Sequence, residues 1–150
     1  MKHILTGFIA VMLTGVCALL HAQKFKAGDI AGKWVTEENK SIVEVFEKDG
    51  KYYGRIIWLK EPNDDDGLPK KDTKNPSEKL RDRPIKGIVF MKGFEYKDGK
   101  WENGKVYDPE SGNLYSGTLK LITIDEMDLR GYIGISLLGR TSKWTRYKKE

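Results

Sequence analysis

Along most of the chain, apolar and polar residues alternate with the two-residue period of a half-buried β-strand. Ser41 to Lys48 (SIVEVFEK) meets Asp49-Gly50, and Tyr52 to Leu59 (YYGRIIWL) follows. Two β-prone runs joined around Asp-Gly predict a hairpin. The second run is apolar on both faces apart from Arg55, which predicts a strand covered on each side. Ile85 to Met91 resumes strand character, Phe94 to Tyr96 and Lys100 to Glu102 flank Asp98-Gly99, and Lys105 to Asp108 leads into Pro109-Glu110-Ser111-Gly112. There Pro109 presets a turn and Gly112 suits its left-handed exit. Asn113 to Thr123 reads as a long strand, Asp125-Glu126 turns it, Met127 to Ile133 returns, and Thr141 to Tyr147 closes, after an opening strand at Gly32-Lys33-Trp34. Eight or nine strands at hairpin spacing, without internal proline and without a long helical run, predict an all-β antiparallel barrel or sandwich.

One stretch breaks the alternation, the long loop from Lys60 to Pro84. Within it Asn75 is a good N-cap, Pro76 suits the first helical position, and Glu78 follows three residues after the cap, so a short helix is predicted from Pro76 to about Arg81. On a barrel such a turn sits at a rim. Leu80 is then expected to point inward as a plug, with Arg81 and Arg83 at the opening or clamping the loop to the wall.

The first residues follow another pattern. Lys2 precedes an uncharged run from Ile4 to Leu20, and Leu20-His21-Ala22 ends it on a small residue. That is the layout of a cleaved secretory leader over residues 1–22. A membrane anchor fits less well, because Thr6, Gly7, Thr14 and Gly15 dilute a run already short for a bilayer of ~30 Å. Lipidation at Cys17 is disfavoured by the bulky Val16 before it. The expected organisation is therefore a leader, a lead-in over 23–31, and one barrel domain over 32–148, exported to the periplasm or beyond and without a membrane span.

Removal of that leader alters the available chemistry. His3, His21 and Cys17 are the only histidines and cysteine of the 150 residues, so the remaining 150 − 22 = 128 carry neither type. Imidazole acid–base catalysis, thiol nucleophiles, disulfides and zinc sites with nitrogen or sulfur ligands drop out. The full chain has net charge +5, which becomes +4 when Lys2 is lost. Basic balance in an exported protein favours anionic envelope components over nucleic acid, and interspersed acids dilute every basic cluster.

Several motifs together resemble a known family: Gly32-Lys33-Trp34; Gly54-Arg55 to Trp58-Leu59; Asn75-Pro76 to Leu80-Arg81-Asp82-Arg83-Pro84; Tyr107-Asp108-Pro109 to Gly112 and Tyr115; Arg130-Gly131-Tyr132-Ile133-Gly134; and Gly139-Arg140-Thr141 with Trp144-Thr145-Arg146. In this order they resemble the bacterial exported family called domain of unknown function twenty-one forty-seven, over about Gly32 to Tyr147. The resemblance implies a lipocalin-like β-barrel and brings no catalytic residues. The opening Gly32-x-Trp34 is also similar to the first strand of lipocalins, where a late arginine covers a tryptophan at one barrel end. Arg146 or Arg140 is the expected partner here.

Asn63-Asp64-Asp65-Asp66-Gly67 looks like a calcium loop, but aligning Gly67 as the sixth position puts Pro62 first and Thr73 twelfth, where ligands are needed. A solvated acidic turn accounts for it better than an irregular calcium site. Arg130 and Tyr132, two apart, share one strand face and resemble the R-x-Y pair with which fatty-acid carriers hold a carboxylate. Leu129, Gly131 and Ile133 form the other face, and in a filled barrel those point inward. The expected function is a binding module for a small apolar or amphipathic ligand, including one with an anionic group. Arg81, Arg83, Arg130, Tyr132 and Trp58 are its candidate contacts, with no catalytic residue, metal or other cofactor. An envelope protein docking through the 60–84 loop is the alternative, and a carboxylate-based hydrolase ranks last.

Overall fold

The computed structural model describes residues 25–149, so the expected leader lies outside the described residues. Eight antiparallel strands are joined in chain order: β1 (Gly32–Val35), β2 (Ser41–Lys48), β3 (Lys51–Leu59), β4 (Val89–Lys97), β5 (Lys100–Asp108), β6 (Asn113–Thr123), β7 (Glu126–Tyr132) and β8 (Arg140–Arg146). Each pairs with its neighbour, and β8 returns to β1 through Trp34↔Arg146 and Val35↔Thr145, closing the barrel. Closure gives every strand of the ring a neighbour on both sides.

The local chemistry explains the turns. Asp49-Gly50 and Asp98-Gly99 have positive φ at both positions (53° and 72°; 49° and 84°), as a two-residue hairpin turn matching the strand twist requires. The β6–β7 turn falls at Ile124-Asp125, one residue earlier than expected. Where the sequence suggested broken runs around residues 93 and 103, the strands continue through irregularities. Gly93 (φ 73°) and Asn103 (φ 60°) take left-handed backbone, and the β3–β4 and β5–β6 registers shift beside them. Eight strands result, not nine.

The lower half of the barrel is solid. Trp34, Val43, Val45, Met91, Phe94, Trp101, Leu119, Leu121 and Met127 are buried inside it. Gly104 and Gly117 make room for the Phe94 ring, since a Cβ on either would lie 2.3 Å and 2.8 Å from its atoms. The segment expected as a lead-in closes this end: a 3-10 turn, Ala27–Ile30, buries Ile30 beside Phe25. Indole N–H groups anchor it, Trp34 donating to the Ile30 carbonyl at 2.9 Å and Trp101 to that of Ala27 at 3.1 Å, while the Tyr96 hydroxyl donates to that of Phe25. Arg146, not Arg140, covers Trp34, its guanidinium 4.2 Å from the ring centre. The same guanidinium donates to the carbonyls of Ile124 (2.7 Å), Ala31 (3.0 Å) and Asp29 (2.7 Å), binding the Ala27–Ile30 turn and β8 to the β6–β7 hairpin.

The 60–88 loop has its own anchor. Asp72 is 0% exposed, yet its carboxylate accepts from Tyr107 Oη (2.5 Å), Asn75 Nδ2 (2.8 Å) and Arg83 Nε and Nη2 (2.9 and 2.7 Å). Tyr107 lies on β5, so this cluster fastens the loop to the wall. The helical turn in it is shorter than expected, Glu78–Leu80 in 3-10 form with Ser77 before it. Asn75 is turned to Asp72 and accepts from the Ser77 N–H at 2.9 Å, which shifts the start by two residues. Leu80 is not a plug, for its side chain remains 40% exposed.

Candidate functional site

At the end opposite the N-terminal stopper, the barrel interior opens into a cavity of about 720 Å³. Its inner wall comes from the inward positions of six strands: Ile56 and Leu59 of β3, Phe90 of β4, Val106 of β5, Tyr115 of β6, Leu129 and Gly131 of β7, and Ser142 and Trp144 of β8. Ile85 contributes from the long loop. The buried rings of Phe90 and Trp144 approach to 6.3 Å between centres. Gly131 matters by what it lacks, because a Cβ there would meet only the Tyr115 Cβ at 3.8 Å, leaving the space above it to the cavity.

Polar groups on this wall are few and neutral. Trp144 donates its indole N–H to Ser142 Oγ at 2.9 Å, so the serine oxygen is engaged as an acceptor and its O–H can turn toward a ligand. Thr36 and Ser41 hydroxyls pair at 3.1 Å at the end of β1 and β2. The rim carries both signs, Glu37, Glu38, Glu61, Asp108 and Glu110 against Lys40, Lys60, Lys70 and Arg140. Arg140 Nη2 lies 3.3 Å from Glu37 Oε2, bridging the β1–β2 turn to β8. The arrangement suits an apolar body inside with a polar end at the mouth.

The residues expected as ligand contacts lie elsewhere. Arg83 is held by Asp72, and its guanidinium lies 5.9 Å from the Tyr107 ring centre. Arg81 Nε donates to the Asn75 carbonyl at 2.8 Å. Arg130 and Tyr132 are on the outer face of β7, alternating with Leu129 and Gly131 that line the cavity; Arg130 donates to Thr141 Oγ1 at 3.0 Å and to the Leu137 carbonyl at 3.2 Å. Trp58 follows the Ile42/Val43 register shift, which turns it outward to 43% exposure. Ile133, expected on the inner face, lies past the end of β7 and is exposed. Gly131, Tyr115 and Ser142 were missed as cavity residues, although the alternation that placed Leu129 and Gly131 inward already carried the signal.

Charge in the buried cluster is uneven. Burial opposes ionisation of Asp72, but hydrogen bonds from Tyr107, Asn75 and Arg83, with the Arg83 charge, outweigh it and hold the carboxyl below its ordinary value. Burial first, and then the Asp72 carboxylate, push the Tyr107 phenol up to about 12. In the acidic turn, Asp64 Oδ1 accepts from the N–H groups of Asp66 (3.1 Å) and Leu68 (2.9 Å), so that carboxylate serves the turn itself. Among the described residues no helix is long and apolar enough to cross a membrane.

Comparison with known proteins agrees with this architecture. The bacterial family described as "uncharacterized protein conserved in bacteria (DUF2147)" matches residues 32–146. A solved structure from Helicobacter pylori, protein HP1028, described as belonging to the lipocalin family, is similar at 28% identity and TM-score 0.69, with 79% of this chain and 82% of that one covered. No curated protein matches.

Proposed function

Because the chain belongs to the DUF2147 family and closes into a lipocalin-like barrel, we propose that it is a binding module taking one small apolar or amphipathic molecule into the cavity at its open end. The observation that supports this is the contrast between the two barrel halves, one filled and the other opening into a space of about 720 Å³ with an apolar inner wall and a charged rim. That volume is in the range of ligand sites, about 300–1,000 Å³. Burial of the ligand body supplies affinity at ~25 cal/mol per Å², while the hydroxyl groups and rim charges orient its polar end. An anionic head group would meet Arg140 and the rim lysines, not Arg81, Arg83 or Arg130. Export with loss of residues 1–22 belongs to the same proposal and is supported by the leader-like sequence.

A fluorescent amphiphile such as dansylundecanoic acid tests it. Saturable, blue-shifted emission at one probe per chain is expected, with native mass spectrometry showing the same stoichiometry. Gly131→Leu projects a side chain into the cavity from unstrained backbone and should weaken uptake about tenfold or more, given ~0.8 kcal/mol for each methylene contact displaced. Probe uptake unchanged in Gly131→Leu would overturn the assignment, as would absence of saturable uptake by the native protein.

A further inference from the structure

The loop joining β7 to β8 presents its apolar residues to solvent. Ile133, Ile135, Leu137 and Leu138 are 66%, 61%, 81% and 79% exposed, and Leu114 is 60% exposed. Pairing of Ser116 with Tyr132 carries Leu114, two residues before Ser116, alongside the start of this loop. The five exposed aliphatic side chains thus lie in the β7–β8 loop and on the β6 strand beside its start. Two bonds fix the loop: Leu138 N–H donates to the Ile135 carbonyl at 3.2 Å, and Arg130 Nη2, on β7, donates to the Leu137 carbonyl at 3.2 Å. Contiguous exposed aliphatic surface of this kind marks a contact with something outside the barrel.

Charge and position select the partner. From Leu129 to Lys143 the chain contains Arg130, Arg140 and Lys143 and no carboxylate. Arg140 and Lys143 flank the loop on β8 and are exposed, the first shared with Glu37 and the second opposite Asp128 in the register. Exposed aliphatic side chains beside two exposed cations fit an anionic lipid interface, which accepts both. Gly131 and Arg140, on the two strands that carry the loop, also line the cavity, so a tip sunk in lipid holds the mouth close to the head groups.

We propose that Leu114 and the 133–138 loop form a membrane-docking tip that inserts into the surface of an anionic phospholipid bilayer. Leu137 and Leu138 enter the acyl boundary while Arg140 and Lys143 meet lipid phosphates. An amphipathic molecule would then pass between bilayer and barrel with little exposure to water. The docking itself does not depend on what the cavity holds.

Hydrogen–deuterium exchange of the purified full chain, with and without vesicles, reads the tip separately from any contribution of the N-terminal residues. Vesicles of phosphatidylcholine with phosphatidylglycerol should protect residues 132–140, and vesicles of phosphatidylcholine alone should protect them far less. Leu137→Glu/Leu138→Glu, at positions too exposed to affect folding, should abolish that protection and leave dansylundecanoic acid uptake intact. Arg140→Gln/Lys143→Gln should remove the preference for the anionic vesicles. Three results would overturn the proposal: unchanged exchange at 132–140 on anionic vesicles, equal protection by both lipids, or light scattering showing a lipid-free dimer that Leu137→Glu/Leu138→Glu converts to monomer.

Discussion

Replacing Asp72 tests the most concentrated electrostatic arrangement in the molecule. Asp72→Ala leaves the Tyr107 hydroxyl, the Asn75 amide and the Arg83 guanidinium facing a void where a carboxylate accepted all of them. Breaking a buried ion pair from one side costs ~3–5 kcal/mol. Here the Arg83 side chain is 34% exposed and recovers part of its hydration, so the expected loss is ~2–3 kcal/mol. For a barrel of this size that is roughly a 10 °C fall in melting temperature. Asp72→Asn keeps the shape and loses the charge, and should cost ~1–2 kcal/mol. The sign with pH follows from the lowered carboxyl value. Stability from the ionised group is present above the unfolded value of about 3.9 and disappears as pH falls through the lower folded value, so native and Asp72→Asn melting curves converge in acid. Ultraviolet titration gives a second reading: the Tyr107 phenol, pushed up to about 12, should ionise at lower pH in Asp72→Asn, though burial still holds it above an ordinary tyrosine. Amide exchange across residues 60–88 should accelerate in both variants. Equal melting temperatures for native protein and Asp72→Ala would refute the idea that this cluster fastens the loop.

Two further substitutions probe the filled half. Gly104→Ala sets a methyl 2.3 Å from Phe94 Cδ2 and should destabilise by ~2–3 kcal/mol in urea unfolding, with partial recovery in the double variant Gly104→Ala/Phe94→Leu. Arg146→Met removes three carbonyl contacts and the cation over Trp34, with an expected loss of ~3 kcal/mol, whereas Arg146→Lys keeps the charge without the fork and should lose less than Met in the same thermal melts.

Much of the barrel is legible in the sequence. Short-range signals carried it: Asp-Gly turns, period-two alternation, and runs such as Ser41–Lys48 and Asn113–Thr123 that coincide with β2 and β6. Where backbone irregularities interrupt alternation, as at Gly93 and Asn103, a single strand looked like two. The placement of charges was harder to read. Asp72 stands in KKDTKNP, a stretch indistinguishable by composition from solvated loop, and its burial depends on Tyr107, distant in sequence. The cavity depended on how far the filling of the core extends along each inward row. Phe94 fits between Gly104 and Gly117 lower down, whereas nothing of comparable bulk fills the space beside Gly131. Alternation shows which rows face inward, and only packing shows where they run out of side chain.

The anchoring of Phe25, Ala27 and Ile30 also bears on where this domain begins. A fragment trimmed to residues 32–146, the residues that match the family, would lack the acceptors for three ring donors and the Phe25 and Ile30 side chains, leaving the filled end of the barrel uncovered. The packed core thus reaches at least to Phe25, seven residues upstream of where the family match starts.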